Sequence, residues 1–147
     1  MKYSTAEIFI LLQKVQNWNL YITEEYKKLS PDDIRKLANG IGPDRWPGWV
    51  RDTTTDILYL FEAAALVHDV DYSTMPDRTL DGWHTANYTF WYNCLICIKK
   101  QIPWYRIISR KLARDTARLL CDAVESRAGK EACKAAGGMV AVMRIIL

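Results

Sequence analysis

The chain has 147 residues, half of them apolar or aromatic and a quarter charged, with a net charge of +3. This length fits one domain whose hydrophobic core can fold without disulfide bonds or a structural metal ion, and the charged fraction is that of ordinary soluble proteins. Four cysteines are too few for a disulfide scaffold, and the pair Cys94 and Cys97 has neither a second C-x-x-C pair nor a nearby histidine to complete a zinc site. We therefore expect buried free thiols.

The N-terminus carries one lysine, an early glutamate and an apolar run only from Ile8 to Leu12. A secretory signal needs a longer apolar stretch. No other apolar run approaches the roughly 20 residues of a membrane-spanning helix. The sequence thus predicts a protein that is cytoplasmic as synthesised, unless a signal has been removed from the chain.

Apolar residues recur at helical spacing along nearly the whole chain. An amphipathic helix is predicted from about Thr5 to Lys28. Ser30 before Pro31 and two aspartates is a helix start, which predicts a second, short helix to Ala38. A glycine turn at 39–43 and an irregular loop to Arg51 follow.

Three longer helices are predicted after this loop. The first begins with a capping box at Thr53 and is broken at 75–77. The second runs from about Thr79 to Lys100 and is stopped by Pro103, and the third runs from about Tyr105 to Ser126. An apolar tail, Met139 to Leu147, follows two glycines. No segment has a convincing strand pattern. The fold class predicted is a single all-α domain over 1–147.

The third predicted helix carries His68-Asp69-Val70-Asp71-Tyr72. Positions i and i+4 share a helix face, so His68 and Tyr72 point the same way, whereas Asp69 is turned about 100° from His68. One helix can therefore aim a general base at a water molecule and a carboxylate at a neighbouring cation.

The glycine turn can supply further ligands to such a cation. Calcium takes six to eight oxygen ligands, many of them backbone carbonyls, and a Gly-x-Gly turn lets alternate carbonyls converge. Ala38, Gly40 and Gly42 are spaced to offer three carbonyls, and Asp69 would add a carboxylate. The bound Ca²⁺ would polarise a substrate carbonyl, and the amide N–H of Gly40 could assist as an oxyanion donor.

A histidine base also needs a partner for its other ring nitrogen. Asn87 lies on the apolar stripe of the next predicted helix and is our candidate. The alternative interpretation is that His68 is a satisfied histidine of the core.

These residues resemble the phospholipase A2 superfamily, small calcium-dependent lipid hydrolases with a glycine-rich calcium loop and a His-Asp pair followed by tyrosine. The matching blocks are Asn39-Gly40-Ile41-Gly42-Pro43, Ala64 to Tyr72, and Ala86-Asn87-Tyr88-Thr89-Phe90, in the family's order. The resemblance is closest to the disulfide-poor viral, phage and bacterial branch. It divides the chain into a core at 38–100, N-terminal helices at 1–37, and a basic helix with an apolar tail at 101–147.

The resemblance implies a fold with two antiparallel central helices and a role for each matching residue. His68 would activate water, Asp69 would bind calcium with the carbonyls of Ala38, Gly40 and Gly42, and Tyr72 would brace the network. Secreted members carry cysteine where Asp71 stands here, and the family's partner helix has aspartate where this chain has Asn87. An analogous carboxylate-to-amide change in a serine protease lowers kcat by about 10⁴.

Several features bear on partners. Arg106, Arg110, Arg114 and Arg118 form an i, i+4 ladder that could grip lipid or nucleic-acid phosphates, or could pair with nearby acids and solvate the helix. Trp46 and Trp49 could reach a membrane interface or cap the core. His84 is expected at the surface.

Three functions therefore remain as hypotheses. They are a calcium-dependent phospholipid hydrolase at a membrane surface, a non-catalytic module of the same fold that binds a membrane, nucleic acid or protein, and a plain helical nucleic-acid-binding domain. The sequence does not indicate an oligomeric state.

Overall fold

The structure is a computed structural model that describes residues 3–38, 57–75 and 79–135. Seven α-helices lie wholly within these ranges: α1 Thr5–Asn17, α2 Glu24–Lys27, α3 Pro31–Leu37, α4 Glu62–Thr74, α5 Leu80–Gln101, α6 Ile107–Glu125 and α7 Arg127–Ala135. A 3₁₀ helix, Tyr59–Phe61, leads into α4. These ranges contain no strand, which confirms the all-α prediction for them. Among their helices, none has the length and apolar character that a bilayer crossing requires.

The first predicted helix is wrong in one respect, because it does not continue to Lys28. It ends at Asn17, where Asn19 takes the left-handed conformation with φ 52°. The N–H of Leu20 bonds the carbonyl of Val15 and that of Asn19 bonds the carbonyl of Gln16, the two bonds of a Schellman ending. Leu20 and Val15 are both buried, so the turn also brings two apolar side chains into the core.

This ending predicts that Asn19 is sensitive to substitution where its neighbour Asn17 is not. Asn19→Ala should lower the free energy of unfolding by about 1 kcal/mol. The left-handed conformation is unfavourable for residues with a Cβ, and alanine lacks the side-chain amide with which asparagine offsets this cost by local hydrogen bonds. Asn19→Gly should be neutral or slightly stabilising. Asn17→Ala, two residues earlier and exposed, is the matched control. Urea denaturation would contradict the prediction if both alanine variants were equally stable.

The longest helices pack in succession, α4 against α5 and α5 against α6. Hydrogen bonds join Gln101 to the carbonyl of Leu60 at one end of the α4–α5 pair and Trp83 to Tyr72 at the other. On the other side of α5, His84 bonds Glu125 near the end of α6. Helices α4 and α5 therefore run antiparallel.

Helices α1, α2 and α3 complete the cover over α4. Asn93 fixes the segment between α1 and α2 to α5, since its fully buried side-chain amide accepts from the N–H of Tyr21 at 2.8 Å and donates to the carbonyl of Tyr21 at 2.9 Å. The side-chain amide of Asn93 thus satisfies both the N–H and the carbonyl of Tyr21.

The remaining limits agree with the sequence at the described positions. Ser30 caps α3 by accepting from the N–H of Asp33, and α5 ends at Gln101 before Pro103. α6 ends at Glu125, and α7 follows it as a separate helix that the sequence did not predict. The start predicted at Thr53, the loop with Trp46 and Trp49, and the apolar tail lie outside the described residues.

Candidate functional site

The site lies on a helix that is buried on all sides. Residues 63–72 of α4 are ten consecutive buried positions, including His68 at 1 % exposure and Asp69 at 7 %. Apolar side chains pack around most of this stretch. The ionisable groups of α4 are therefore held in the interior, where a polar group without a partner costs about 1–3 kcal/mol.

His68, Tyr72 and Asn87 are brought together as the sequence proposed. The Nε2 of His68 lies 2.8 Å from the Oδ1 of Asn87, and the hydroxyl of Tyr72 donates to the same oxygen at 2.5 Å. The indole N–H of Trp83 in turn donates to the Tyr72 oxygen at 3.0 Å. Spacing of four residues on α4 and of four on α5 produces this chain of contacts, because each pair then shares one helix face.

Trp83 is the donor at one end of this chain of hydrogen bonds. An indole can only donate, so Tyr72 accepts from Trp83, and the hydroxyl proton of Tyr72 is directed to the Oδ1 of Asn87. Burial raises the pKa of the Tyr72 hydroxyl, which keeps that proton in place. The Asn87 atom that receives it must be the carbonyl oxygen, and Nε2 of His68 must then carry a hydrogen to bond the same oxygen.

The network therefore assigns the tautomer of His68, with hydrogen on Nε2 and a lone pair on Nδ1. Burial lowers the pKa of His68 to about 4, outweighing the contact with Asn87 that raises it. The ring is neutral at ordinary pH. Within the described part of the chain no group hydrogen-bonds Nδ1, although this atom is buried.

The structure describes two of the four predicted calcium ligands. Asp69 is buried on α4, and Ala38 is the C-cap of α3, which packs against α4. Both offer the oxygen donors that calcium prefers. Gly40 and Gly42 lie outside the described residues, so the calcium site stays a prediction. No group of three or more His, Cys, Asp or Glu side chains suited to a metal occurs among the described residues.

Tyr3 lies near the predicted calcium ligand. Burial raises the pKa of the Tyr3 hydroxyl, and the charges of Glu62 and Asp69 raise it further. The N-terminal end of α1 therefore borders the acidic side of α4.

Asp71 hydrogen-bonds Thr23 and not His68, so it does not take the place of the aspartate that the phospholipase A2 resemblance would put at position 87. Its Oδ1 accepts from the hydroxyl of Thr23, 3.3 Å away, on the side of α4 that faces the start of α2. Burial raises the pKa of Asp71 to about 7, with Thr23 opposing the rise and Glu25 adding to it. His84 is exposed, as expected, and bonds Glu125 at 3.0 Å through Nδ1, away from His68.

The arginine ladder divides into one structural residue and three exposed ones. The guanidinium of Arg110 donates to the carbonyls of Ile102 and Lys99, which close the C-terminal end of α5. Arg106, Arg114 and Arg118 are exposed and take part in no ion pair among the described residues. These three arginines therefore face solvent, and phosphate binding by the ladder stays a prediction.

Trp83 and Phe90 are neighbours of the candidate site that the sequence did not single out. The ring of Phe90 packs on His68 with centroids 4.7 Å apart. Trp83 is buried at 4 % exposure. Its sequence signal was a position one turn before Asn87 on the same stripe, which is equally typical of a core aromatic residue. Cys94 and Cys97 are buried free thiols, as predicted, and burial raises the pKa of both.

No protein-family model, curated protein or solved structure matches this chain. The functional conclusion therefore rests on the residues of the site and their geometry.

The tautomer assignment predicts a spectroscopic result. The chain has only two histidines, so the imidazole ¹⁵N shifts of His68 can be assigned with His84→Gln. We expect the Nε2–H form alone in the native protein. Trp83→Phe should admit the Nδ1–H form, because Tyr72 can then accept from a reversed Asn87 amide.

Trp91→Phe is the matched control for this experiment, since Trp91 lies on the same helix, is half-buried and, unlike Trp83, makes no hydrogen bond to Tyr72 or Asn87. A native His68 that carries its hydrogen on Nδ1 would contradict the assignment.

Proposed function

We propose that the protein is a calcium-dependent, phospholipase A2-like hydrolase that cleaves a phospholipid acyl ester with water activated by His68. The observation that supports this best is the buried lone pair on Nδ1 of a neutral histidine whose tautomer is fixed. Buried polar groups are usually paired, and here the Nδ1 of His68 and the Nδ2 of its partner Asn87 both lack a hydrogen-bond partner among the described residues.

The chemistry follows from the groups in reach of that nitrogen. Nδ1 would take a proton from a water molecule as its oxygen forms a bond to the ester carbonyl carbon. The same proton would then pass to the leaving alcohol oxygen as the acyl–oxygen bond breaks, releasing a fatty acid and a lysophospholipid. Asn87 would hold the ring through Nε2 throughout, with Tyr72 and Trp83 fixing the amide.

Calcium, when bound, would supply Lewis-acid polarisation of the ester carbonyl. Asp69 and the carbonyls of Ala38, Gly40 and Gly42 are the residues proposed to hold it. The described donors fit this ion in type, because a carboxylate and a backbone carbonyl are both hard oxygen ligands.

Two properties of His68 restrict this function. The ring is 1 % exposed, so water and substrate reach Nδ1 only if covering groups move aside. A pKa of about 4 also makes the ring a weak base, since proton removal is most efficient when the pKa of the base lies near the working pH. Turnover should accordingly be slow.

The test is fatty-acid release from phospholipid vesicles in the presence of calcium or of a chelator. We expect release that requires calcium and falls at least about 10²-fold in His68→Gln, the range that a general base contributes. Asp69→Asn should raise the calcium concentration needed for half-maximal rate.

His84→Gln is the matched control, because His84 is the other histidine and lies at the surface. Circular dichroism should show every variant folded. Calcium-independent release, or equal rates in the two glutamine variants, would remove the hydrolase from consideration.

A second candidate is a non-catalytic module of the same fold that binds a partner. Burial of His68 and the neutral amide at position 87 favour it, because neither stabilises the imidazolium that proton transfer creates. This module would keep calcium binding, seen as a thermal shift that Asp69→Asn abolishes, and would show no turnover. A plain nucleic-acid-binding domain would instead bind duplex with strong salt dependence, unaffected by Asp69→Asn.

Asn87→Asp distinguishes an impaired enzyme from a binding module. A carboxylate at this position accepts the same two hydrogen bonds and adds a negative charge beside Nε2, so the pKa of His68 should rise. In the hydrolase, calcium-dependent release should increase, by up to about 10⁴-fold if the protease analogy holds. Asn17→Asp, the same change from amide to carboxylate at an exposed position of α1, is the control. A folded Asn87→Asp protein without any release would favour the module.

A further inference from the structure

The turn between α5 and α6 exposes large apolar side chains to an unusual degree. Trp104 is 77 % exposed, Ile107 73 % and Ile108 85 %, and Tyr105 beside them is 65 % exposed. Leu112, one turn after Ile108 on α6, is 54 % exposed. Contiguous apolar side chains of this size on a surface mark an interaction site.

Cations surround these side chains without any opposing charge. Lys99 and Lys100 precede the turn, and Arg106 and Lys111 flank the isoleucines; all four are exposed. The chain has no Asp or Glu from residue 82 to residue 114. In the described part of the chain these cations make no ion pair. We call residues 99–112 the basic–apolar surface.

A groove beside this surface combines the same two properties. It encloses about 570 Å³ and is lined by Leu95, Ile98 and Pro103 together with Lys99 and Arg114. An apolar wall next to cations suits a molecule with both a hydrocarbon part and an anionic group. A phosphate-bearing lipid is such a molecule.

We propose that the basic–apolar surface docks the protein on an anionic phospholipid membrane. Trp104 and the two isoleucines would enter the interfacial region, where tryptophan is favoured and aliphatic side chains leave water. The surrounding lysines and arginines would meet the anionic head groups, at about fivefold in affinity for each cation. Both halves of the surface then find a partner.

Charge and shape argue against the other occupants. Two copies of this chain meeting face to face would bring like charges together, which opposes association. Nucleic acid would match the cations, but it would leave Ile107 and Ile108 without apolar contact, since its phosphates and base edges are read mainly by hydrogen bonds. An anionic membrane satisfies the cations and the isoleucines together.

The surface is separate from the candidate active site. Asn87 and Lys99 are twelve residues apart on α5, about 18 Å along the helix. Docking therefore holds the protein at a membrane without using His68. As a supply of substrate it rests on the proposed function, whereas the binding itself does not.

The experiment is flotation with vesicles of phosphatidylcholine alone or mixed with phosphatidylserine, in chelator so that hydrolysis is suppressed. We expect binding only to the mixed vesicles, weakening as salt rises. Ile108→Asp should weaken it about tenfold or more through lost apolar burial, and Lys111→Gln about fivefold. Ile10→Asp is the matched control, since Ile10 is 54 % exposed and belongs to α1 rather than to residues 99–112.

Several results would overturn the proposal. These are no binding, equal binding to both vesicles, or an Ile10→Asp effect as large as that of Ile108→Asp. Tight duplex binding that survives Ile108→Asp, or a dimer that Ile108→Asp dissociates, would assign the surface to the other occupants. Vesicle binding without calcium-dependent release would keep the docking proposal and remove only the hydrolase. Calcium-dependent release without a preference for anionic vesicles would remove the docking proposal and keep the hydrolase.

Discussion

The structure depends on the burial of α4 over its whole circumference. Ten consecutive buried residues leave no solvent-facing side on which an ionisable group can be placed. The polar groups of this helix can therefore find partners only on the elements around it. His68 is met by Asn87 from α5, and Asp71 by Thr23 before α2. Polar matching, as well as apolar packing, sets which element lies against which face of α4.

The helices were predictable where local chemistry decides them. Ser30 with Pro31 begins α3 and Pro103 follows the end of α5, because caps and prolines act within one turn. The break after Asn17 was missed because the apolar spacing continues through it. There, packing of Leu20 and the tolerance of asparagine for positive φ outweighed periodicity. An Asn signal of this kind is weak, since asparagine also occurs within helices.

The site was predictable as far as helix spacing reaches. His68 and Tyr72 share a face by arithmetic, and Asn87 was placed by its position on an apolar stripe where an amide needs a partner. The hydrogen bond from Trp83 to Tyr72 was not predicted, because packing alone explains an aromatic residue on that stripe. Its role comes from the direction of one N–H, which only the meeting of α4 and α5 determines. The glycine turn remains a prediction from its sequence.

The amide at position 87 gives this site a character of its own. A carboxylate would share the positive charge of imidazolium and raise the pKa of His68, whereas asparagine leaves burial to dominate and the pKa falls to about 4. The lone pair on Nδ1 is thus present at every ordinary pH, but it gains little by taking a proton. Such a nitrogen accepts a hydrogen bond at every ordinary pH, and in the proposed hydrolase it would take up a proton only slowly. In the proposed hydrolase, the Nδ1 of His68 would take a proton from water, whereas in the binding module it would only accept a hydrogen bond. The side chain of Asn87 bears on this difference, because it sets the charge beside Nε2.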